Sequence, residues 1–283
     1  MRENITSTFS SVWRILRFLE YGPNFILAAL FGSLLTFGTL DNQIWPLIFF
    51  IVTSSGFGFV INDIADRDED STSLDIRNPV ASGQMSLRSS MILAGVLFIL
   101  TVISLFKLPS NHVVGITILL IFINYSFLLK AKDHLGLDVL FHSLGPALYV
   151  TMGYTLYKGL DFLCLAITVA AGLLSASAEL VQEVRDYQRD LFNRKNTVVS
   201  LGKKKTLLLT TAMMIMAFAL VGGISYSIPK LSWILPFLPL SIFLIQPVVQ
   251  AIKDQNLQSK LPNILNTRGV IIAVLVLVLF FIF

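Results

Sequence analysis

"FGFVINDIADRDEDSTSLDIRNPVASG", residues 57–83, decides how this chain is read. It opens as the end of an uncharged run that begins at residue 42, and with no linker it passes into Asn62, Asp63, Asp66, Asp68, Glu69 and Asp70, with Arg67 the one cation among them. About 20 apolar residues are what a helix needs to cross a hydrocarbon core of about 30 Å. The stretch therefore reads as a helix leaving a bilayer with its carboxylates gathered at the exit.

The same pattern extends outward in both directions. Uncharged runs occupy residues 21–40, 42–62, 89–106, 108–129, 139–157, 162–178, 206–229, 231–252 and 269–283. Of the 283 residues 55% are hydrophobic and 13% charged, whereas a soluble domain carries about a quarter charged residues. Run length and the lack of polar/apolar alternation exclude barrel strands. The expectation is an all-α, polytopic membrane protein with about nine transmembrane helices, the last needing some of residues 266–269 to reach across. Connections are short, so residues 1–283 read as a single membrane-embedded domain, with residues 63–88 and 183–205 as cap loops. Residues 1–20 hold Glu3 and Glu20 around Trp13, Ile15, Leu16 and Phe18, a pattern for an interfacial amphipathic helix and not for a signal peptide. Cys164 is the only cysteine, which excludes a disulfide or a thiolate metal cluster.

With the N-terminus inside, all of the 21 Lys and Arg except Lys107, Lys158 and Lys230 fall on the cytoplasmic side. That asymmetry is the positive-inside signature and places the acidic stretch at the cytoplasmic face, in a bacterium that of the inner membrane. The net charge of +4 is accordingly a topology signal, and no nucleic-acid partner is expected.

The acidic stretch occurs twice. Residues 182–190, "QEVRDYQRD", match residues 62–70, "NDIADRDED", in chemistry: Gln182 with Asn62, Glu183 with Asp63, Asp186 with Asp66 and Asp190 with Asp70. Both lie at the end of a span running toward the cytoplasm, and both place an amide and two carboxylates at i, i+4 and i+8, on one helical face. Ten of the 17 acidic residues belong to these two regions. The match implies two pseudo-repeated halves. Hard oxygen donors without His or Cys point to Mg²⁺, an ion that shares its shell with substrate phosphates.

"NDIADRDED" and "RDYQRD", followed after the first motif by "IRNPVASGQMS" at 76–86, are similar to the NDxxDxxxD and DxxxD signatures of the intramembrane prenyltransferases of the UbiA superfamily. The resemblance spans most of the chain, in motif order, motif separation and number of spans. It implies helices arranged around a central cavity and Mg²⁺-dependent prenyl transfer from a polyprenyl diphosphate to a small aromatic or lipid acceptor, an aromatic or quinone precursor being the expected one. It also implies roles. Asn62, Asp66, Asp70, Gln182, Asp186 and Asp190 would bind metal. Arg67, Arg77, Arg185 and Lys130 would stabilise the departing diphosphate, with Tyr125 as its partner, and Asp63 or Glu183 would take the proton released on alkylation. Two positions depart from the family pattern: Lys130 follows Tyr125 by five residues instead of four, and Glu183 stands where the first motif has Asp63. Tyr125 reads equally as an interfacial aromatic anchor.

Two other readings stay open on the sequence. A terpene cyclase of the same superfamily would ionise the same diphosphate and capture the cation internally. A cation or phosphate transporter would use the carboxylates as an ion path, with Glu179, one turn deeper than Glu183, as its supporting residue.

Overall fold

A computed structural model describes residues 15–36, 41–72, 78–191 and 194–282. Most of the expected interfacial helix at 1–20, and all of Arg77, lie outside these residues. Among the described residues the regular structure is helical apart from one isolated bridge between His134 and Lys195. The helices are α1 (Phe18–Leu34), α2 (Ile44–Ala65), α3 (Arg67–Asp70), α4 (Leu87–Leu105), α5 (His112–Ile123), α6 (Leu137–Thr155), α7 (Phe162–Asp190), α8 (Thr197–Leu201), α9 (Lys203–Ser227), α10 (Ser241–Ala251) and α11 (Gln255–Ile282).

Among the described residues each of the nine uncharged runs overlaps a helical segment. Six segments are long and apolar enough to cross a membrane: Ile44–Ala65, Leu87–Leu105, Pro109–Leu128, Phe162–Asp190, Lys203–Ser227 and Pro229–Ala251. Their outward faces are apolar, with Met91, Ile99, Val113, Leu120, Leu165 and Ile215 all exposed, a surface that suits lipid and not water. The chain is a multi-pass membrane protein. Three boundaries differ from the runs. The span at 229–251 begins as a 3₁₀ segment, Pro229–Leu240, because Pro236 and Pro239 have no N–H to give an α ladder. The last helix starts at Gln255, fourteen residues before its uncharged part, since the polar segment before residue 269 is itself helical. The third difference is a π turn at Asn124–Leu128.

The chain divides into two compact units, Met1–Lys130 with Met152–Lys158, and Ala131–Thr151 with Gly159–Phe283. In the first, α2 packs against α1, α4 and α5. Phe57, Val60 and Ile61 of α2 form its core with Ala94 and Leu97 of α4, Leu119 of α5, and Val80 and Met85 from the loop after α3. The tail of α6 meets α1 so closely that a Cβ on Gly153 would lie 1.9 Å from the Ala29 carbonyl oxygen, and only glycine permits that approach. Ser33 Oγ donates to the Gly153 carbonyl there at 3.1 Å.

In the second unit α7 packs against α9 and α11. Val181 and Val184 of α7 form its core with Val198 of α8, Leu207 and Met214 of α9, Val248 and Ala251 of α10, and Leu261 of α11. Each unit thus buries one valine from the segment following its acidic motif, Val80 and Val198, against the helix that carries the motif.

Candidate active site

The first acidic face begins inside α2 and continues past its end. Asp66 caps α2, with its N–H on the Asn62 carbonyl at 2.9 Å, and Asp70 repeats the bond onto Asp66 at 2.8 Å. Asp66, at φ −88° and ψ −1°, is the non-helical joint between α2 and α3, so the i, i+4, i+8 spacing runs through Asp70 without one continuous helix. Asn62 Nδ2 donates to Asp66 Oδ2 at 3.1 Å, and its Oδ1 accepts from Ser126 Oγ at 3.4 Å. Asp63 points elsewhere. It is fully buried and accepts a 2.6 Å ion-pair bond from Arg17, whose guanidinium lies over the Phe59 ring. Arg67 turns toward exposed Asp68.

Asn78 is tied back to this motif. Asn78 is buried, and its Nδ2 donates both to the Asp63 carbonyl at 2.7 Å and to Asp70 Oδ2 at 3.0 Å.

The second face lies wholly on α7, which stays helical through Asp190, so the segment expected as a loop from 183 begins as helix. Asp186 accepts two bonds from Arg185, both 2.8 Å, and one from Arg189 at 3.4 Å. Asp190 is buried and accepts from Arg189 Nε at 3.1 Å and from Asn196 Nδ2 at 3.2 Å. Buried Glu183 accepts the Val198 N–H at 3.2 Å. Gln182 is half-buried on the same helix. A buried scaffold holds this region: Asp138 accepts from the Thr197 N–H at 2.5 Å and the Thr197 hydroxyl at 2.6 Å, and Thr197 in turn accepts from the Gly136 N–H at 2.9 Å. One turn deeper, Glu179 pairs with His142 Nδ1 at 3.1 Å.

Tyr125 lies in the π turn, closed by the Leu129 N–H on the Asn124 carbonyl at 3.2 Å. A π turn closes i→i+5 where an α turn closes i→i+4, so one extra residue is wound into the segment that holds Tyr125. Lys130 itself is exposed and left-handed, with φ 43°.

The donor set suits a hard cation. Among the described residues, no three His, Cys, Asp or Glu side chains converge into a closed cage. Mg²⁺ needs none, since it retains several waters and takes one or two carboxylates together with phosphate oxygens. Of the residues singled out in the sequence, Asn62 and Asp66 are joined by a hydrogen bond, and Asp186 and Asp190 share the Arg189 guanidinium. The structure adds Arg17, Asn78, Arg189 and Asn196. Asn78 and Asn196 had a visible signal, since "NPVASG" at 78–83 and "NTVVSLG" at 196–202 are themselves a repeat.

Comparison with known proteins accords with this geometry. The profile of the UbiA prenyltransferase family matches residues 25–267, and the chain belongs to that family. Among solved structures, the fold is similar to a UbiA homologue from Archaeoglobus fulgidus bound to GPP and Mg²⁺, with a TM-score of 0.81, 20% identity, and 96% of this chain and 98% of that one covered. It is also similar to a digeranylgeranylglyceryl phosphate synthase (TM-score 0.70, 18% identity, 94% and 96% covered). A third similar structure is the apo UbiA homologue from Aeropyrum pernix K1 (TM-score 0.68, 19% identity, 89% and 98% covered). No curated protein matches the sequence.

Proposed function

We propose that this protein transfers a prenyl group from a polyprenyl diphosphate to a small aromatic or lipid acceptor, with Mg²⁺ as cofactor. The observation that carries the reading is the duplicated face of amide and carboxylate at the C-terminal ends of α2 and α7. Asn62, Asp66 and Asp70 in one unit, and Gln182, Asp186 and Asp190 in the other, would each hold Mg²⁺ together with its waters and phosphate oxygens. When bound, Mg²⁺ supplies neutralisation of the diphosphate as the C–O bond to the allylic carbon breaks, a contribution of several kcal/mol. The GPP and Mg²⁺ in the Archaeoglobus relative support this assignment.

The chain's own cations have a matching task. Arg185 and Arg189 rest on Asp186 and Asp190, where their guanidiniums can engage diphosphate oxygens bidentately. Tyr125 and Lys130 would add a hydroxyl and an ammonium. Arg77 would add a further cation. Asp63 and Glu183 are anchors in this reading and not proton acceptors, because Arg17 and the Val198 N–H already engage their buried carboxylates. The charge asymmetry of the loops supports a cytoplasmic active site with residues 63–88 and 183–205 as its cap.

Diphosphate release by the purified protein in detergent tests the reading, with geranyl, farnesyl and geranylgeranyl diphosphate as donors. Release that requires Mg²⁺ and is lost in both Asp66→Ala and Asp190→Ala is the expected result. Turnover that proceeds without any added acceptor would identify a cyclase, and no release with any donor and aromatic acceptor would overturn the proposal.

A further inference from the structure

Beyond the acidic motifs, each unit holds one buried asparagine bonded in the same way. Asn78 follows Asp70 by eight residues and Asn196 follows Asp190 by six. In both, the side-chain amide donates to Oδ2 of the last aspartate of the motif, at 3.0 Å for Asn78 and 3.2 Å for Asn196. In both, the side-chain carbonyl caps the backbone that follows. Asn78 Oδ1 accepts from Val80 N at 2.9 Å and Ala81 N at 3.2 Å, and Asn196 Oδ1 accepts from Val199 N at 3.1 Å. The pattern then continues in parallel: a core valine, a serine bonded back to a backbone carbonyl three or four residues earlier, and a glycine at positive φ, 72° at Gly83 and 78° at Gly202.

We infer that Asn78 and Asn196 are positioning residues, each fixing the terminal carboxylate of its motif for metal and diphosphate by clamping it to a capped return loop; this rests on the function proposed above. The chemistry favours asparagine over a cation at these places. A neutral amide orients one carboxylate oxygen without placing another cation beside it: at Asp70 the amide adds no charge to compete with a divalent ion, and at Asp190, which already accepts from Arg189 Nε at 3.1 Å, it adds no second competitor. Because donor and cap belong to one planar group, the loop cannot leave without releasing the aspartate. Partners of this kind typically change metal affinity by about 10–100-fold when removed.

Asn78→Ser and Asn196→Ser separate the two roles, since a serine hydroxyl still caps the following N–H but is too short to reach the aspartate. The readout is thermal unfolding of the purified full chain in detergent, with Mg²⁺ titrated in the presence of inorganic diphosphate. The expected result is a metal-free midpoint close to wild type and a half-saturating Mg²⁺ concentration raised about 10–100-fold. In an Asp190→Asn background, Asn196→Ser is expected to add no further shift, because its effect passes through Asp190. If Asn78→Ser does not fold, because it also frees the buried Asp63 carbonyl, the Asn196 series decides alone. An unchanged half-saturation, or a lowered metal-free midpoint with unchanged half-saturation, overturns the inference and leaves the function standing. A wild-type protein that does not respond to Mg²⁺ with diphosphate overturns both.

Discussion

The two acidic motifs differ in where their neutralising partners come from. The first receives Arg17 from 46 residues upstream, while the second carries Arg185 and Arg189 within itself. The difference also shows in burial. The contrast is smaller there: the Arg17 and Asp63 side chains are 32% and 1% exposed, and those of Arg189 and Asp190 45% and 5%. The first motif therefore depends on tertiary structure for its electrostatics, and the second depends on one helix.

Substitutions can break this contrast in order of size. Arg17→Ala strips a buried carboxylate of its guanidinium and is expected to destabilise the fold by about 3–5 kcal/mol, read as a lowered midpoint of thermal unfolding in detergent. Glu183→Gln keeps an oxygen for the Val198 N–H and is expected to change stability by about 1 kcal/mol or less; a loss as large as that of Arg17→Ala would show that Glu183 bears charge-dependent anchoring after all. Arg189→Ala leaves Asp190 with the Asn196 amide and Asp186 with Arg185, so the unfolding midpoint is expected to fall less than in Arg17→Ala. Its effect is expected in KM for the donor diphosphate, and a variant with unchanged KM would deny Arg189 any substrate role.

The same contrast explains what the sequence could reveal. The spans were legible because uncharged runs of helical length have few other uses, and the pairing of Asn62, Asp66 and Asp70 with Gln182, Asp186 and Asp190 was legible because it is local and periodic. Arg17 was not: its partner lies in another helix, and among basic residues near membrane ends it carries no distinguishing mark. The start of α11 at Gln255 was missed because polar residues in a continuing helix look like a loop when only hydropathy is read. Asn78 and Asn196 were readable in principle, but their motifs differ in length by one residue, which obscures the match in a fixed-register comparison.

The π turn at Asn124–Leu128 has a consequence for how this family's motifs are sought and how its members diverge. An added residue in an α-helix would rotate everything beyond it by about 100° and swing a functional side chain off its face. Where the helix can widen locally, the insertion is absorbed within the turn, as the Leu129 N–H on the Asn124 carbonyl does here. Distance along the chain is then elastic inside Asn124–Leu128, while Lys130, left-handed at φ 43°, stands beyond the helix and takes its direction from its own backbone.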